Sequence, residues 1–444
     1  MNAAATTAVG ARAEELVLHL LLQILAILVA TRLVVAIARR LGQTDVSGEI
    51  LAGLLLGPSF LGALFPVLSE RLFVPETATI FVGVAQLGLV LLMFQIGLEF
   101  EFSSRLSASK LSVAVVSGAG LVVPFTLGFA TAPWFWEGLA EPRPSASAFR
   151  LFFAVAMSIT ALPILGRIFV ELRLSHTRTA ALTIGAAAID DVSGWLLLGM
   201  ISLLVRGGSA VSWVLPRLLG LFAYLFFVFC VARPLLKRAI ARQLDGTGGA
   251  LPSSTVAMVL VALIASATIT SLLGVFAIIG GFVLGAALHD DRRFVDGWRT
   301  RVAPLVTTLF LPIFFAYTGL RTDLGTLGSA RELTITLLVC LVAFVGKFGG
   351  AFLGARAVGE SPRSALAIGV CMNTRALMEL IALNIGYELG VLPKSMFSKL
   401  VVMAVISTFM ATPLIRLLLR DQQAPEERKA PAPAGGLPLQ PAAE

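Results

Sequence analysis

Charge is scarce in this chain. Aspartate, glutamate, lysine and arginine make up 14% of its 444 residues, where soluble domains carry roughly a quarter. With 57% hydrophobic residues and a mean hydropathy of +0.91, that shortage excludes a soluble globular fold and leaves a polytopic membrane protein. Cysteine is scarcer still. Cys230, Cys340 and Cys371 all lie in apolar runs with no CxxC spacing, which argues for packing and against redox or metal chemistry. The net charge of +8 comes with no basic cluster; the cations are spread over short loops, so nucleic acid is not an expected partner. The first apolar run, from Leu16 through Arg32 to Ala38, has no small-residue cleavage site behind it. It reads as an uncleaved span and not as a signal peptide.

What is abundant is long apolar sequence. Hydropathy and loop punctuation give thirteen candidate spans, from 15–38 to 395–419, each long enough or nearly so to cross a bilayer as a helix. The second (46–65) and ninth (274–288) are short and glycine-rich, and only Gly274 and its neighbours divide the ninth from the eighth, 252–272. Basic residues divide twenty to seven between alternate loops, which puts the N-terminal segment 1–14 outside and the C-terminus in the cytoplasm. The expected localisation is a cell (plasma or inner) membrane. Residues 421–444, rich in Ala, Pro and Gly, read as a disordered cytoplasmic tail, too short for a nucleotide-binding domain.

Against this background the stretch 177–205 stands apart. It is a membrane-spanning run with two adjacent carboxylates, Asp190 and Asp191, near its centre, about 20 Å from its start at about 1.5 Å per residue. A carboxylate at that depth costs on the order of 2.5–3.5 kcal/mol on the lenient insertion scales. Two such groups are tolerable if they face water and handle cations or protons. Neighbouring helical positions differ by about 100°, so the two cannot share one face. One can meet a partner while the other points into a cavity, and the pair titrates as a coupled unit. An acid able to hold either a proton or a hard cation, never both, is a competition device.

Few other spans carry charge near their centres. Lys347 lies in Val345-Gly346-Lys347-Phe348, and Arg375 and Glu379 lie in span 363–388. With the two aspartates these groups are three acids against two cations, so the cations offset all but one of the negative charges, and a low-dielectric interior favours such pairing. Arg375 and Glu379, four apart, are expected to pair and lock their helix, a structural role before an ion-binding one. Setting the first span aside, the other twelve split into two sixes. Span 149–171 has a polar, proline-broken centre, Ser158-Ile159-Thr160-Ala161-Leu162-Pro163, and its counterpart has Met372-Asn373-Thr374-Arg375. Interrupted spans at matching positions of two halves are the trace of a repeat transporter with its site at their crossing. Thr160, Ser158 and nearby unwound carbonyls are then candidate oxygens around an ion held by Asp191, and Ser158 is equally a candidate for bonding back onto its own helix. Glu49 reads as interfacial, Glu99 and Glu101 as solvated, Gln86 and Gln95 as interhelical glue, and His176 and His289 as ordinary loop histidines.

These motifs resemble the second monovalent cation:proton antiporter family, which includes bacterial sodium/proton antiporters, Kef-type transporters and plant cation/proton exchangers. The resemblance covers roughly residues 15–420. It is carried by Gly48-Glu49-Ile50-Leu51-Ala52-Gly53 through Gly57-Pro58-Ser59, by Gly97-Leu98-Glu99, and by Ser158 to Leu165. Leu311-Pro312-Ile313-Phe314-Phe315 and Met372 to Leu380 look most like the plant-type and related bacterial exchangers. The resemblance implies an all-α polytopic fold of about thirteen transmembrane helices, with inverted repeats and two crossed discontinuous helices. It implies core helices near 109–205 and 332–419, a dimer-forming scaffold in the rest, and no cofactor. It also implies that Asp191 is the obligatory carrier of ion and proton, and that Asp190 pairs with Lys347. Exchange is then expected to be electrogenic and of elevator type. Plant-type relatives usually have Asn at the position of Asp190 and many move K⁺, so the double aspartate pulls toward Na⁺ or Li⁺ while the other motifs pull toward K⁺.

Two other classes fit the sequence less well. A channel, or a sodium-coupled organic solute carrier on a similar scaffold, lacks support because no filter-like loop or ring of like charge is present. An intramembrane aspartyl protease needs aspartates facing each other from two helices, and Gly-x-Gly-Asp is absent.

Overall fold

The computed structural model describes residues 3–419 apart from 44, 100–108, 141, 163–164, 166–167, 170–173, 175–176, 208–210, 246–250 and 275. The tail 421–444, Glu101, Pro163 and His176 therefore lie outside the described residues. Every regular element among those described is helical. In chain order these are α1 (Ala3–Arg40), α2 (Asp45–Leu56), a short α3 (Pro66–Leu72), α4 (Ala78–Glu99), α5 (Lys110–Glu137), α6 (Ala146–Ser158) and α7 (Arg178–Gly207). There follow α8 (Val211–Phe227), α9 (Arg233–Asp245), α10 (Ser253–Leu272), α11 (Ala277–Leu288), α12 (Arg292–Arg301) and α13 (Leu311–Arg321). The last four are α14 (Ala330–Ala357), α15 (Pro362–Met372), α16 (Ala376–Glu388) and α17 (Lys394–Leu418). Among the described residues nine helical stretches are long and apolar enough to cross a membrane, and four shorter apolar helices accompany them.

Boundaries follow local chemistry. The division between α10 and α11 does fall at Gly274, whose φ of 81° is the left-handed conformation that ends helices and that glycine adopts without penalty. The helical run that begins at Val211 continues to Asp245 because a π-turn at Val228–Ala232 joins α8 to α9. A second π-turn at Val306–Phe310 leads into α13. One element was not expected at all. Helix α12 is too polar to read as a span, yet it buries Phe294 and Trp298 completely, four apart on one face.

The closest packing uses small residues, as expected where lipid offers no hydrophobic drive to bring helices together. A Cβ added at Gly350 of α14 would lie 2.5 Å from the Ala119 carbonyl oxygen of α5. Gly53 of α2 and Gly319 of α13 meet so closely that a Cβ on the latter would overlap the Gly53 carbonyl oxygen. Helices α5, α6, α7, α14, α15 and α17 pack chiefly on one another, as do α1, α2, α4, α11 and α13.

The two interrupted spans break where the polar residues fall. Helix α6 ends at Ser158 and Ile159 is already extended, φ −68° and ψ 142°. Helix α15 ends at Met372, and α16 starts after Thr374 and Arg375. The two unwound stretches cross, and the Ala161 amide donates to the Thr374 carbonyl at 3.1 Å. That bond satisfies backbone groups which would otherwise be orphaned at membrane depth.

Candidate functional site

Helix α7 brings Asp190 and Asp191 to this crossing on two different faces. Asp190 is fully buried and every oxygen it has is engaged. Lys347 of α14 donates to Oδ2 at 2.6 Å, Thr160 donates to the same oxygen at 3.1 Å, and Ser117 of α5 donates to Oδ1 at 2.6 Å. The lysine is equally saturated. Its ammonium also donates to the Gly120 carbonyl at 2.8 Å and to the Ser158 carbonyl at 2.5 Å, which accounts for all three of its N–H groups. An ion pair this well bonded is the arrangement in which mutual attraction offsets desolvation.

Asp191 has the opposite surroundings. It is 2% exposed, yet neither carboxylate oxygen accepts a well-formed hydrogen bond among the described residues, and the donor directed at it is the backbone amide of Leu162, not a side chain. It lines a cavity of about 10 Å³ with Ile159, Gly194, Trp195 and Met378. That is about the space one water molecule occupies. Its lining takes Ile159 from the unwound end of α6 and Met378 from α16, so it touches both broken spans.

The positive groups also hold helix ends. Arg375 donates to the Ala156 carbonyl at 2.7 Å and to the Met157 carbonyl at 2.6 Å, and it reaches Ala343 of α14 at 3.4 Å. Together Arg375 and Lys347 take three successive carbonyls at the C-terminal end of α6, where the last carbonyls lack helical partners and carry partial negative charge. Arg375 also pairs with Glu379 at 3.3 Å, both fully buried, as their spacing led us to expect.

The residues anticipated around the ion divide accordingly. Thr160 faces Asp190 and not Asp191. The Ser158 hydroxyl bonds back to Ala154 and Val155 at 2.9 and 3.0 Å, so this residue contributes its carbonyl, to Lys347, and not its side chain. Asn373 caps the end of α15 through its amide, and its Oδ1 is buried without a partner among the described residues. Ser117 was missed, because a serine in an apolar helix more often bonds its own backbone. A second polar junction was missed as well. Gln86 of α4, Tyr317 and Arg321 of α13 all donate to Glu388 of α16, at 3.3, 3.0 and 3.2 Å. Gln86 is thus the interhelical glue expected of it. Glu49 lies beside Arg32 and Asp45 in a pocket of about 190 Å³.

Opposite charges buried where two broken helices cross, within an all-helical membrane bundle, define a secondary transporter. The chain belongs to the sodium/hydrogen exchanger transmembrane family, which matches residues 24–421. It is similar to the Na(+)/H(+) antiporter NhaS4 of Synechocystis sp., 36% identical over 400 residues that cover 90% of this chain and 96% of that protein. It is also similar to Cation/H(+) antiporter 17 of Arabidopsis thaliana, at 35% identity over 89% of this chain but only 48% of the plant protein, about half its length. The structure of the sodium proton antiporter MjNhaP1 from Methanocaldococcus jannaschii superposes with a TM-score of 0.58 over 91% of this chain and 98% of that one. At 17% identity that likeness concerns the fold.

Proposed function

We propose that this protein is a monovalent cation/proton antiporter in which the cation, Na⁺ or K⁺, and the proton take turns on Asp191. One observation carries the reading: of two adjacent buried carboxylates, Asp190 has both oxygens bonded by the side chains of Lys347, Thr160 and Ser117, while Asp191 has no side-chain donor among the described residues. A carboxylate left unsatisfied inside a protein is unfavourable unless an ion or proton completes it. The names of the relatives support the same exchange.

In this proposal α5, α6, α7 and α14 to α17 form a core that moves as a body against the remaining helices, in an elevator motion that exposes Asp191 to each side in turn. The Asp190–Lys347 pair moves with it and sets the charge carried, which makes exchange electrogenic. The scaffold joins two copies into a homodimer, with N-termini outside and C-termini in the cytoplasm. The test is transport in proteoliposomes. Wild type moves protons against an imposed Na⁺ or K⁺ gradient, and Asp191→Asn does not. Proton movement that persists in Asp191→Asn would remove this residue from the role. Cation flux without proton coupling would favour a channel.

A further inference from the structure

A groove at the opposite end of α6 from the crossing carries two charges that the exchange mechanism does not use. It lies between the last turns of α5 and the first turns of α6 and has a volume of about 490 Å³. Its floor is apolar, built by Phe129, Pro133 and Leu151, and both Arg150 and Glu137 line it. The Arg150 guanidinium is fixed in place. It stacks 3.8 Å from the centre of the Phe129 ring, and its Nε donates to the Phe129 carbonyl at 2.8 Å. This leaves both Nη groups without an ion-pair partner among the described residues. Glu137 is exposed at the end of α5 and likewise forms no ion pair among them. A cation and an anion thus share one groove without neutralising each other.

The level of the groove in the membrane can be read from its tryptophans. Trp136 lines it with its indole N–H donating to the Pro144 carbonyl at 2.9 Å, and Trp134 beside it is 74% exposed. Tryptophans turned outward near a helix end mark the boundary between headgroups and hydrocarbon. An apolar floor with one free cation and one free anion at that level is complementary to a molecule with an acyl chain, a phosphate and an ammonium.

We propose that this groove is a binding site for a zwitterionic phospholipid with a primary ammonium. The phosphate is held by the Arg150 Nη groups, whose planar geometry suits two phosphate oxygens. The ammonium donates to Glu137, and the acyl chain lies along Phe129, Pro133 and Leu151. A primary ammonium is specified over a quaternary one because the acceptor is a carboxylate, which rewards N–H donors.

Native mass spectrometry of the full chain in detergent tests this with phosphatidylethanolamine, phosphatidylcholine and phosphatidylglycerol of identical chains, and with soluble glycerophosphoethanolamine. Phosphatidylethanolamine is expected to bind about tenfold more tightly than phosphatidylglycerol, the equivalent of one charge-assisted hydrogen bond. Glu137→Gln, an exposed change that folding tolerates, should abolish that preference, and Arg150→Gln should weaken every phospholipid. Equal binding of the ethanolamine and glycerol lipids to wild type would overturn the proposal. So would an ethanolamine preference that survives Glu137→Gln, a stronger response to the choline lipid, or binding of the soluble headgroup as tight as that of the lipid.

Discussion

Asp190 and Asp191 are consecutive on α7 and equally deep, yet one accepts three side-chain hydrogen bonds and the other none among the described residues. The difference arises from the 100° turn between neighbouring helical positions. It points Asp190 at α5 and α14, where Ser117 and Lys347 meet it, and Asp191 at the gap between the broken helices. Chemical identity therefore says little about role here. A carboxylate with side-chain donors on both oxygens is part of the scaffold of the site, and one without them is where an ion or a proton can land.

The sharpest way to break that comparison is to neutralise each acid separately. Asp190→Asn leaves Lys347 buried without its counter-charge, which should cost about 3–5 kcal/mol and appear as a lower melting temperature or a lower yield of folded protein. Asp191→Asn removes a charge that has no side-chain partner among the described residues to lose, so thermal stability should be retained while exchange is lost. Equal destabilisation by the two variants would mean that the two environments are not as different as the geometry has them. Next in size is Lys347→Gln, which strips Asp190 of its cation while keeping a hydrogen-bond donor. The charge moved per cation should fall, read as a weaker response of transport to an imposed membrane potential. An unchanged response would count against the pairing as the source of electrogenicity.

Ser117→Ala tests the third donor. Loss of a buried hydrogen bond to a charged group costs about 1.5–3 kcal/mol, and the melting temperature should fall by less than in Asp190→Asn, with partial recovery in Ser117→Thr. No change would place Ser117 outside the network. The smallest effect is expected at the rim, where Asp290 receives Lys237 and Arg233, both at 2.8 Å. Partial burial pushes the Asp290 carboxyl up, but hydrogen bonds and charge from Lys237 and Arg233 outweigh it and hold the group at about 2, below the ordinary 3.8. Its folded value is depressed, so its stabilising contribution is complete above pH 3.8 and is lost as the pH falls toward 2. Asp290→Asn should thus lower the melting temperature slightly at neutral pH, and the gap from wild type should close across that acid window. A gap independent of pH would show that the rim pair acts through shape and not through charge.

Much of this arrangement was legible in the sequence because charge is so unusual in apolar runs. Asp190, Asp191, Lys347, Arg375 and Glu379 each stood out against their neighbours, and the polar breaks at Ser158-Ile159-Thr160 and Asn373-Thr374-Arg375 fell where α6 and α15 end. What escaped was chemistry that does not look unusual. Ser117 is one hydroxyl among several, and only the approach of α5 to α7 shows that it faces a carboxylate and not its own backbone. The side on which Thr160 lies could not be read from spacing, since it depends on how the extended residues leave α6. Helix α12 was invisible to hydropathy because its four arginines outweigh Phe294 and Trp298, and the Glu388 junction joins residues from three helices far apart in the chain.

The account stands or falls on competition at Asp191. The most direct measurement is the apparent KM for the transported cation in proteoliposomes as a function of pH on the acid side of the activity range, with no membrane potential. If proton and cation exclude each other from one carboxylate, KM rises about tenfold for each unit the pH falls while the maximal rate stays constant. A maximal rate that falls while KM stays fixed would mean that proton and cation occupy separate groups.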